Sequence, residues 1–462
     1  MRGVRAREAT TWVVVLFAVC LSLGYLVPHS ANLALAAAAA VTLAGIALFD
    51  PVLLPLVSMP LLVVSNRIGG GGLNLSLADA ALFAAFWPAL LFGRRPYTRL
   101  MRSALWLCGI YQLGSLFTVL ANPYRQNTVE WFHAALLVGG ALVVGWAVGA
   151  SGRAHLGVGL FVLACVAIGL NATVLGAAQG FSNPVYPSFP VPLAKNFAGP
   201  ILSWAALICF ARPPWLRWPS WATVPAFVIC TLGTFATQSR QALIGLGVGM
   251  VIIAFRPGLG RHLGRKLLLV ATIPLLAVVA SSVRSDLSGK DQFNSTALRL
   301  PGLEGGLQVW RTDPWFGAGL RWWIGSPQAN GFQPPSVFIE VLSSVGLVGF
   351  AAFTILMLGS LAIAWRIEPV VGTLAVAIIA SRIVQSQFDQ FWVSSLVSTP
   401  FVLLGVCLGV QAYNARTARA DDLAGTVVAP APQVTTAPPF ATAPAVTTAA
   451  PVTRLRTPSS RP

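Results

Sequence analysis

Charge is what this sequence has least of. Only 9% of its 462 residues are Asp, Glu, Lys or Arg, against about 25% in an ordinary soluble domain. A chain this poor in charge cannot cover a water-facing surface, and a large soluble enzyme is excluded. Acids are the scarcer sign, with 13 Asp and Glu, and there are only 4 histidines, which argues against a His-built metal centre. The 6 cysteines lie singly inside apolar runs, with no CxxC pair. They read as small core or lipid-facing residues rather than a disulfide framework.

What is present is apolar. Hydrophobic residues make up 56% of the chain, with 15 Trp and 25 Phe, and the mean hydropathy is +0.75. The 30 Lys and Arg leave a net charge of +17. In a soluble protein that excess would point to nucleic acid, but long apolar runs point to a bilayer. Windows of about 20 apolar residues, the length of a membrane crossing, recur between residues 11 and 412. They predict an all-α, polytopic transmembrane bundle of 12–14 spans occupying residues 1–412. Residues 413–462 follow as a cytoplasmic, low-complexity, disordered tail rich in Ala, Pro, Thr and Val.

Positive residues orient such a bundle, because short cytoplasmic loops collect them. With a cytoplasmic N-terminus, the clusters at Arg94–Arg102, Arg153, Arg212–Arg217, Arg256–Lys266, Arg366 and Arg416 all fall on the inner side. Both termini are then cytoplasmic. Ten other basic residues fall on the outer side: Arg67, Arg125, Lys195, Arg240, Arg284, Lys290, Arg299, Arg311, Arg321 and Arg382. Topology does not account for them. Two long outer segments accompany them: the Pro- and aromatic-rich stretch 180–196, and the polar loop 284–335. A loop of that size outside the membrane is a candidate functional site.

Four stretches at the expected outer face stand out. They are Asn196-Phe197-Ala198-Gly199 after Lys195, Ser239-Arg240-Gln241-Ala242, Asp313-Pro314-Trp315-Phe316-Gly317-Ala318-Gly319 downstream of Arg299, and Ile339-Glu340-Val341-Leu342 before Gly346-Leu347-Val348-Gly349. In order and spacing across residues 195–350 they resemble the O-antigen ligase and O-antigen polymerase superfamily of bacterial membrane glycosyltransferases.

The resemblance implies transfer of a glycan from a polyprenyl-pyrophosphate carrier to a hydroxyl of a glycan, lipid or protein acceptor. It implies metal-independent catalysis without a cofactor; the partners are membrane lipids and these substrates, and not nucleic acid. Arg240, Arg299, Glu340 and Asp313 are the expected catalytic residues. Lys195, Asn196, Arg311, Arg321, Trp315 and Arg382 are the expected substrate-binding residues. The chemistry is compatible, since arginine's planar fork binds phosphate oxygens bidentately and an acceptor hydroxyl profits from a general base.

Ligases of this family carry His-Asn just before the Leu-Glu helix. Counting back from Glu340, those positions are Pro335 and Ser336. None of the four histidines fits, because His133, His155 and His262 fall in spans or inner loops and His29 in a short early outer loop. Three readings stay open: Glu340, Asp313 or Asp291 serves as base, the chain belongs to a polymerase-like branch that does not use that histidine, or catalysis is lost. A solute transporter of the same superfamily is a further alternative, although the middles of the spans hold almost no ionisable residue apart from Asp79.

Bland roles stand beside each of these. Arg240 fits an interfacial residue snorkelling to water, and Arg299, Arg311 and Arg321 fit surface ion pairs. Lys195 and Arg382 fit interface anchors. Glu340 fits a carboxylate favoured by a helix N-terminus, and Trp310, Trp315, Trp322 and Trp323 fit an aromatic belt.

Overall fold

A computed structural model describes residues 31–68, 75–256, 295–326, 333–388 and 392–427. The expected spans near 11–27 and 267–283, and the tail beyond 427, lie outside the described residues. Met1–Arg416 forms one unit and Thr417–Pro462 a second. The described helices are α1 (Ala31–Phe49), α2 (Leu53–Leu61), α3 (Leu77–Phe92), α4 (Arg99–Ala121), α5 (Arg125–Ala135), α6 (Ala141–Ala150), α7 (Ala154–Ala178), α8 (Lys195–Ala211), α9 (Ser220–Ala236), α10 (Arg240–Phe255), α11 (Ser295–Thr312), α12 (Trp322–Gly325), α13 (Val337–Arg366), α14 (Pro369–Gln385) and α15 (Ser394–Val427). Strands are confined to a two-residue antiparallel ladder, β1 (Arg67–Ile68) with β2 (Leu75–Ser76), pairing Arg67 with Ser76. The class is all-α. Helix α15 runs beyond the expected tail boundary at 413 as far as Val427.

The helices form where apolar runs meet local start and stop signals. Ser76 and Asp79 make a reciprocal capping box on α3, Thr98 caps α4, and Pro369 opens α14 at a first-turn position that needs no amide hydrogen. Among the described residues, five stretches are long and apolar enough to cross a membrane: Arg99–Ala121, Arg125–Ala150, Ala154–Ala178, Val337–Arg366 and Ser394–Asp421. Six shorter apolar helices accompany them. Large apolar side chains such as Trp106, Leu163, Trp221 and Leu358 are exposed on their surfaces, as lipid-facing positions require. The chain is an integral membrane protein.

The helix ends sort into two groups. At one end Arg153 pairs with Asp50, Arg256 donates to the carbonyls of Trp365 and Ile367 at 2.7 and 3.3 Å, and Arg416 donates to Ala150 O at 2.7 Å. These ends carry the basic clusters read as one face. The other end gathers the segments read as the opposite face. There Ser76 meets Ser394 at 2.6 Å, Val337 N donates to Ser386 O at 3.0 Å and Val185 N to Ala236 O at 3.0 Å. The 180–196 stretch is irregular but packed, with Val185 and Leu193 buried.

Helices α6 and α15 cross backbone to backbone. A Cβ added at Gly145 would lie 2.0 Å from Val402 O, and at Gly149 2.2 Å from Val406 O. From the other side, Gly405 faces Leu142 O at 2.3 Å and Gly409 faces Trp146 O at 2.6 Å. Each helix presents a Gly-x-x-x-Gly stripe, the small-residue device that lets membrane helices approach closely. Gly149→Val must force the pair apart and should cost about 3 kcal/mol or more. Gly109→Ala, with no neighbour within 4 Å of the new methyl, should be neutral or stabilise by up to about 1 kcal/mol. Thermal unfolding of the detergent-solubilised variants measures the difference; equal melting temperatures would refute the close crossing.

Candidate functional site

The centre of the site is a break in α13. Gly346 adopts φ 63, ψ −168 inside this helix, a conformation open to glycine and costly for residues with a Cβ. The break frees backbone groups that a helix would pair internally. The Asp313–Gly319 segment takes them up. Ala318 N donates to Ser343 O at 3.0 Å, Gly319 N to Ser344 O at 2.9 Å, and Leu347 N to Pro314 O at 2.8 Å. Approach is so close that a Cβ on Gly346 would lie 2.3 Å from the Trp315 backbone, and one on Gly317 2.5 Å from that of Ser344.

The α4–α5 corner clamps the same segment from the far side. Asn122 Nδ2 donates to Gly317 O at 2.9 Å, Tyr124 OH to Leu320 O at 2.9 Å, and Leu320 N to Asn127 Oδ1 at 3.0 Å. The segment ends at Arg321, a non-glycine residue with φ 55, a strained backbone of the kind found at functional sites. The Arg321 guanidinium is buried and meets Glu130 at 3.0 Å. Burial pulls its pKa below the ordinary value, and Glu130 and Glu340 oppose that shift.

Behind Glu130 the polar chain continues. His133 Nδ1 lies 3.3 Å from Glu130 Oε2 and its Nε2 lies 3.3 Å from Asp79 Oδ2. Asp79 accepts from Ser76 N at 2.7 Å and Ser76 Oγ at 2.8 Å. A π-turn over Leu136–Gly140 follows His133 directly, and such bulges recur at functional sites. These groups border a cavity of about 40 Å³ lined by Glu130, His133, Arg321, Trp323, Glu340 and Ser344 among others. Gln333 Nε2 donates to Glu340 Oε2 at 2.9 Å. Four buried polar atoms of this group have no hydrogen-bond partner: Arg321 Nη2, Ser344 Oγ, Asp79 Oδ1, and His133 Nε2, which has only its 3.3 Å approach to Asp79.

A second, cationic group stands nearby. The N-termini of α8, α10 and α13 converge on the C-terminus of α14, and none has a side-chain cap. Gly199 is the contact between α8 and α10, because its added Cβ would lie 2.5 Å from Ser239 Cβ. Gln385 joins α14 to α8 through Ser203 at 3.1 Å, and a Cβ on Gly245 of α10 would reach Gln385 at 2.5 Å. Lys195 and Asn196 open α8, Arg240 opens α10, and Arg382 lies buried in the last turn of α14. Buried Ser239 Oγ and Gln241 Nε2 lack partners. The Arg382 guanidinium lies 5.8 Å over the Trp392 ring, and Trp392 Nε1 donates to Tyr111 OH at 3.1 Å. Trp392 also lines the Glu340 cavity, so this ring touches both groups.

Of the expected site residues, the structure thus gathers Arg321 with Glu340, and Lys195, Asn196, Arg240 and Arg382 together. Asp313 lies apart. Its Oδ1 accepts from Phe316 N at 3.2 Å, a local turn bond two turns of α13 from Glu340. Arg311 and Trp315 are exposed beside it, and the side chain of Arg299, on α11, lies outside the described residues. Trp322 and Trp323 are buried rather than belt-like. The expected loop 284–335 is helical over Ser295–Thr312, and residues 284–294 and 327–332 lie outside the described residues.

His133 lies in a span as expected, within Arg125–Ala150, and it lines the Glu340 cavity; Asp79 lies at one helix end, in the first turn of α3, where it faces His133. Sequence reading missed Glu130, Asn122, Tyr124 and Asn127. The signal available was the polar run Arg125-Gln126-Asn127-Thr128-Val129-Glu130 at the head of an otherwise apolar window. Among the described residues, no cluster of three or more His, Cys, Asp or Glu is arranged to hold a metal ion.

Residues 225–354 match a family model described as O-antigen ligase. The resemblance read from the motifs therefore holds over that stretch, which contains three of the four and leaves Asn196–Gly199 outside. The O-antigen ligase match covers Arg240, the Asp313–Arg321 segment, Glu340 and the α13 break. It leaves Lys195, Arg382 and the Asp79–His133–Glu130 chain outside. No curated protein matches the chain.

The reciprocal fit of Gly317 and Gly346 yields a prediction. Gly346→Ala combines a positive φ with a backbone clash, and should cost about 2–4 kcal/mol. Limited proteolysis of the purified protein should then cut near Asp313–Gly319. An uncut segment, at wild-type melting temperature, would mean that the docking does not depend on this glycine.

Proposed function

We propose that this protein transfers a saccharide from a polyprenyl-pyrophosphate carrier to an acceptor hydroxyl, at the outer face of the bacterial plasma membrane, in cell-surface polysaccharide synthesis. The coarse class, an O-antigen ligase-type function in polysaccharide biosynthesis, follows from the match over residues 225–354. The finer reading rests on one observation: the N-termini of α8 and α10, opened by Lys195 and Arg240 and without side-chain caps, adjoin at Gly199 and Ser239 beside the end of α14 that carries Arg382. Helix N-termini present amide hydrogens and a positive dipole end to anions, and the arginine fork adds bidentate donors. A diphosphate leaving group is the anion this arrangement suits.

The reaction then needs no metal. The acceptor oxygen attacks the anomeric carbon, the bond to the pyrophosphate oxygen breaks, and its electron pair departs with the polyprenyl pyrophosphate. Arg240, Arg382 and Lys195 stabilise that departing charge, with Asn196 donating alongside. Arg299, Arg311 and Trp315, on or next to α11, handle the remainder of the donor glycan. Glu340 takes the acceptor proton. Asp313 is the weaker choice for that role, because its carboxylate is engaged in its own turn. In this reading 12–14 spans place both clusters at the outer face, with both termini cytoplasmic.

A transporter reading draws on the buried Asp79–His133–Glu130–Arg321 chain, since ionisable groups inside membrane helices mark transport routes. That chain sits at the first turn of α3 and beside α12, at the helix ends rather than mid-bundle, and transporter sites lie near the midplane. Glycan transfer is the better fit.

Removing one charge donor of this kind typically lowers a rate by about 10²–10³-fold, and removing a general base by about 10²–10⁴-fold. Arg240→Ala and Glu340→Gln, expressed at wild-type level in the native cell, should each reduce surface glycan to that extent. Gel analysis of surface polysaccharide is the readout. Unchanged chain length and attachment in both variants would sink the proposal.

A further inference from the structure

The cavity beside Glu340 differs electrically from the cationic group. Asp79, Glu130 and Glu340 bring three carboxylates, against the Arg321 guanidinium and the His133 imidazole. However the imidazole is protonated, the sum is negative. Adding the exposed Arg67, whose charge reaches Arg321, still does not make it positive. Such a place repels a diphosphate. Its size agrees, because 40 Å³ holds about two or three water molecules.

Arg321 is moreover already committed to Glu130 at 3.0 Å, while its Nη2 and the Ser344 hydroxyl stay buried without partners. Buried polar groups are almost always paired, so two orphans on one small cavity mark the place of a missing polar ligand. The residues on offer are a guanidinium N–H, a hydroxyl and a carboxylate, with the indoles of Trp323 and Trp392 as walls. That combination takes a neutral hydroxyl: the N–H donates to its oxygen and the carboxylate accepts its proton.

Resting on the transfer reaction above, we propose that this cavity is the acceptor subsite. The attacking hydroxyl sits between Arg321, Ser344 and Glu340, and the Asp79–His133–Glu130 chain positions Arg321. Arg321 is then an acceptor-binding residue and not a pyrophosphate ligand. As the new bond between acceptor oxygen and anomeric carbon forms, the hydroxyl proton passes to the Glu340 carboxylate. The bond to pyrophosphate breaks on the opposite side of the same anomeric carbon, toward the helix ends that carry Lys195, Arg240 and Arg382, past the edge of Trp392. Glu130 and His133 line the cavity beside the acceptor, and with Asp79 they fix the guanidinium by the ion pair and the polar contacts behind it.

Arg321→Ala would strand Glu130, and Glu130→Gln leaves the Arg321 charge unpaired although its amide oxygen still accepts from the guanidinium, so Ser344→Ala is the primary variant and Glu130→Gln is read beside it at wild-type melting temperature. Full-length protein in lipid nanodiscs is titrated with farnesyl pyrophosphate as the probe for the donor head. Arg240→Ala should weaken this probe at least tenfold, and Ser344→Ala and Glu130→Gln should shift it less than twofold. In the native cell, at matched protein level, the latter two should still lower transfer to surface glycan at least tenfold. A loss of probe affinity in these two comparable with Arg240→Ala would overturn the acceptor assignment, as would undiminished glycan transfer in both. A probe indifferent to Arg240→Ala, with the transfer losses of Ser344→Ala and Glu130→Gln intact, would strike the donor reading and leave the acceptor subsite standing.

Discussion

The Arg321 guanidinium can be buried only because Glu130 faces it, and much of the architecture at this end follows from that pairing. An uncompensated charge in such surroundings costs several kcal/mol. Glu130 in turn must be held, and its second oxygen faces His133, whose other ring nitrogen faces Asp79. Asp79 closes the first turn of α3 through Ser76, and Ser76 meets Ser394 at the start of α15. One charge pair therefore ties α12, α5, α3 and α15 into a single network. Networks of this kind are stiff because each member orients the next.

The α13 break is the second half of the same construction. A helix of 30 residues with an interruption at Gly346 would leave its carbonyls at Ser343 and Ser344 and its amides at Leu347 and Val348 poorly paired. The Asp313–Gly319 segment supplies partners for all four. Motifs that look separate in sequence, the Gly-x-Gly turn and the Gly-Leu-x-Gly helix, are two faces of one contact. The same holds for Asn196–Gly199 and Ser239–Ala242, which meet at Gly199. Small residues recur in these motifs because backbones pass there at van der Waals distance, and the polar residues beside them are carried into place by that approach.

This explains what was legible. Apolar windows locate helices well, and nearly every described helix coincides with one, because in a membrane protein the period of burial matters less than the length of the apolar run. Basic clusters sort the helix ends, since Arg94, Arg153, Arg256 and Arg416 do gather at one end. The candidate residues on motif-bearing helix starts, Lys195, Arg240 and Glu340, were legible for the same reason. Pairings between distant helices were not. Glu130 and His133 carry no local signal of partnership with Arg321, nearly 190 residues away, and the polar head of α5 reads as the frayed end of a span. The glycine stripes of α6 and α15 were visible as letters, but not as a crossing. Asp313 is an acid in a motif whose carboxylate accepts a bond within its own turn, a local contact that the motif alone does not reveal.

The separation of the two charge groups is itself a chemical requirement. A departing diphosphate needs converging positive charge, whereas a carboxylate that is to accept a proton loses basicity when cations surround it. A single mixed cluster would serve neither need. Here Lys195 and Arg240 open helices whose N-termini already favour anions, Arg382 stands in the last turn of α14, and the acids are spread along a chain whose buried guanidinium is bound to Glu130. Trp392 touches both groups, near Arg382 on one side and at the Glu340 cavity on the other. Its face accepts the guanidinium and its N–H is spent on Tyr111. In the proposed transfer, this distribution of charge lets a departing anion and a proton acceptor serve one anomeric carbon without either neutralising the other.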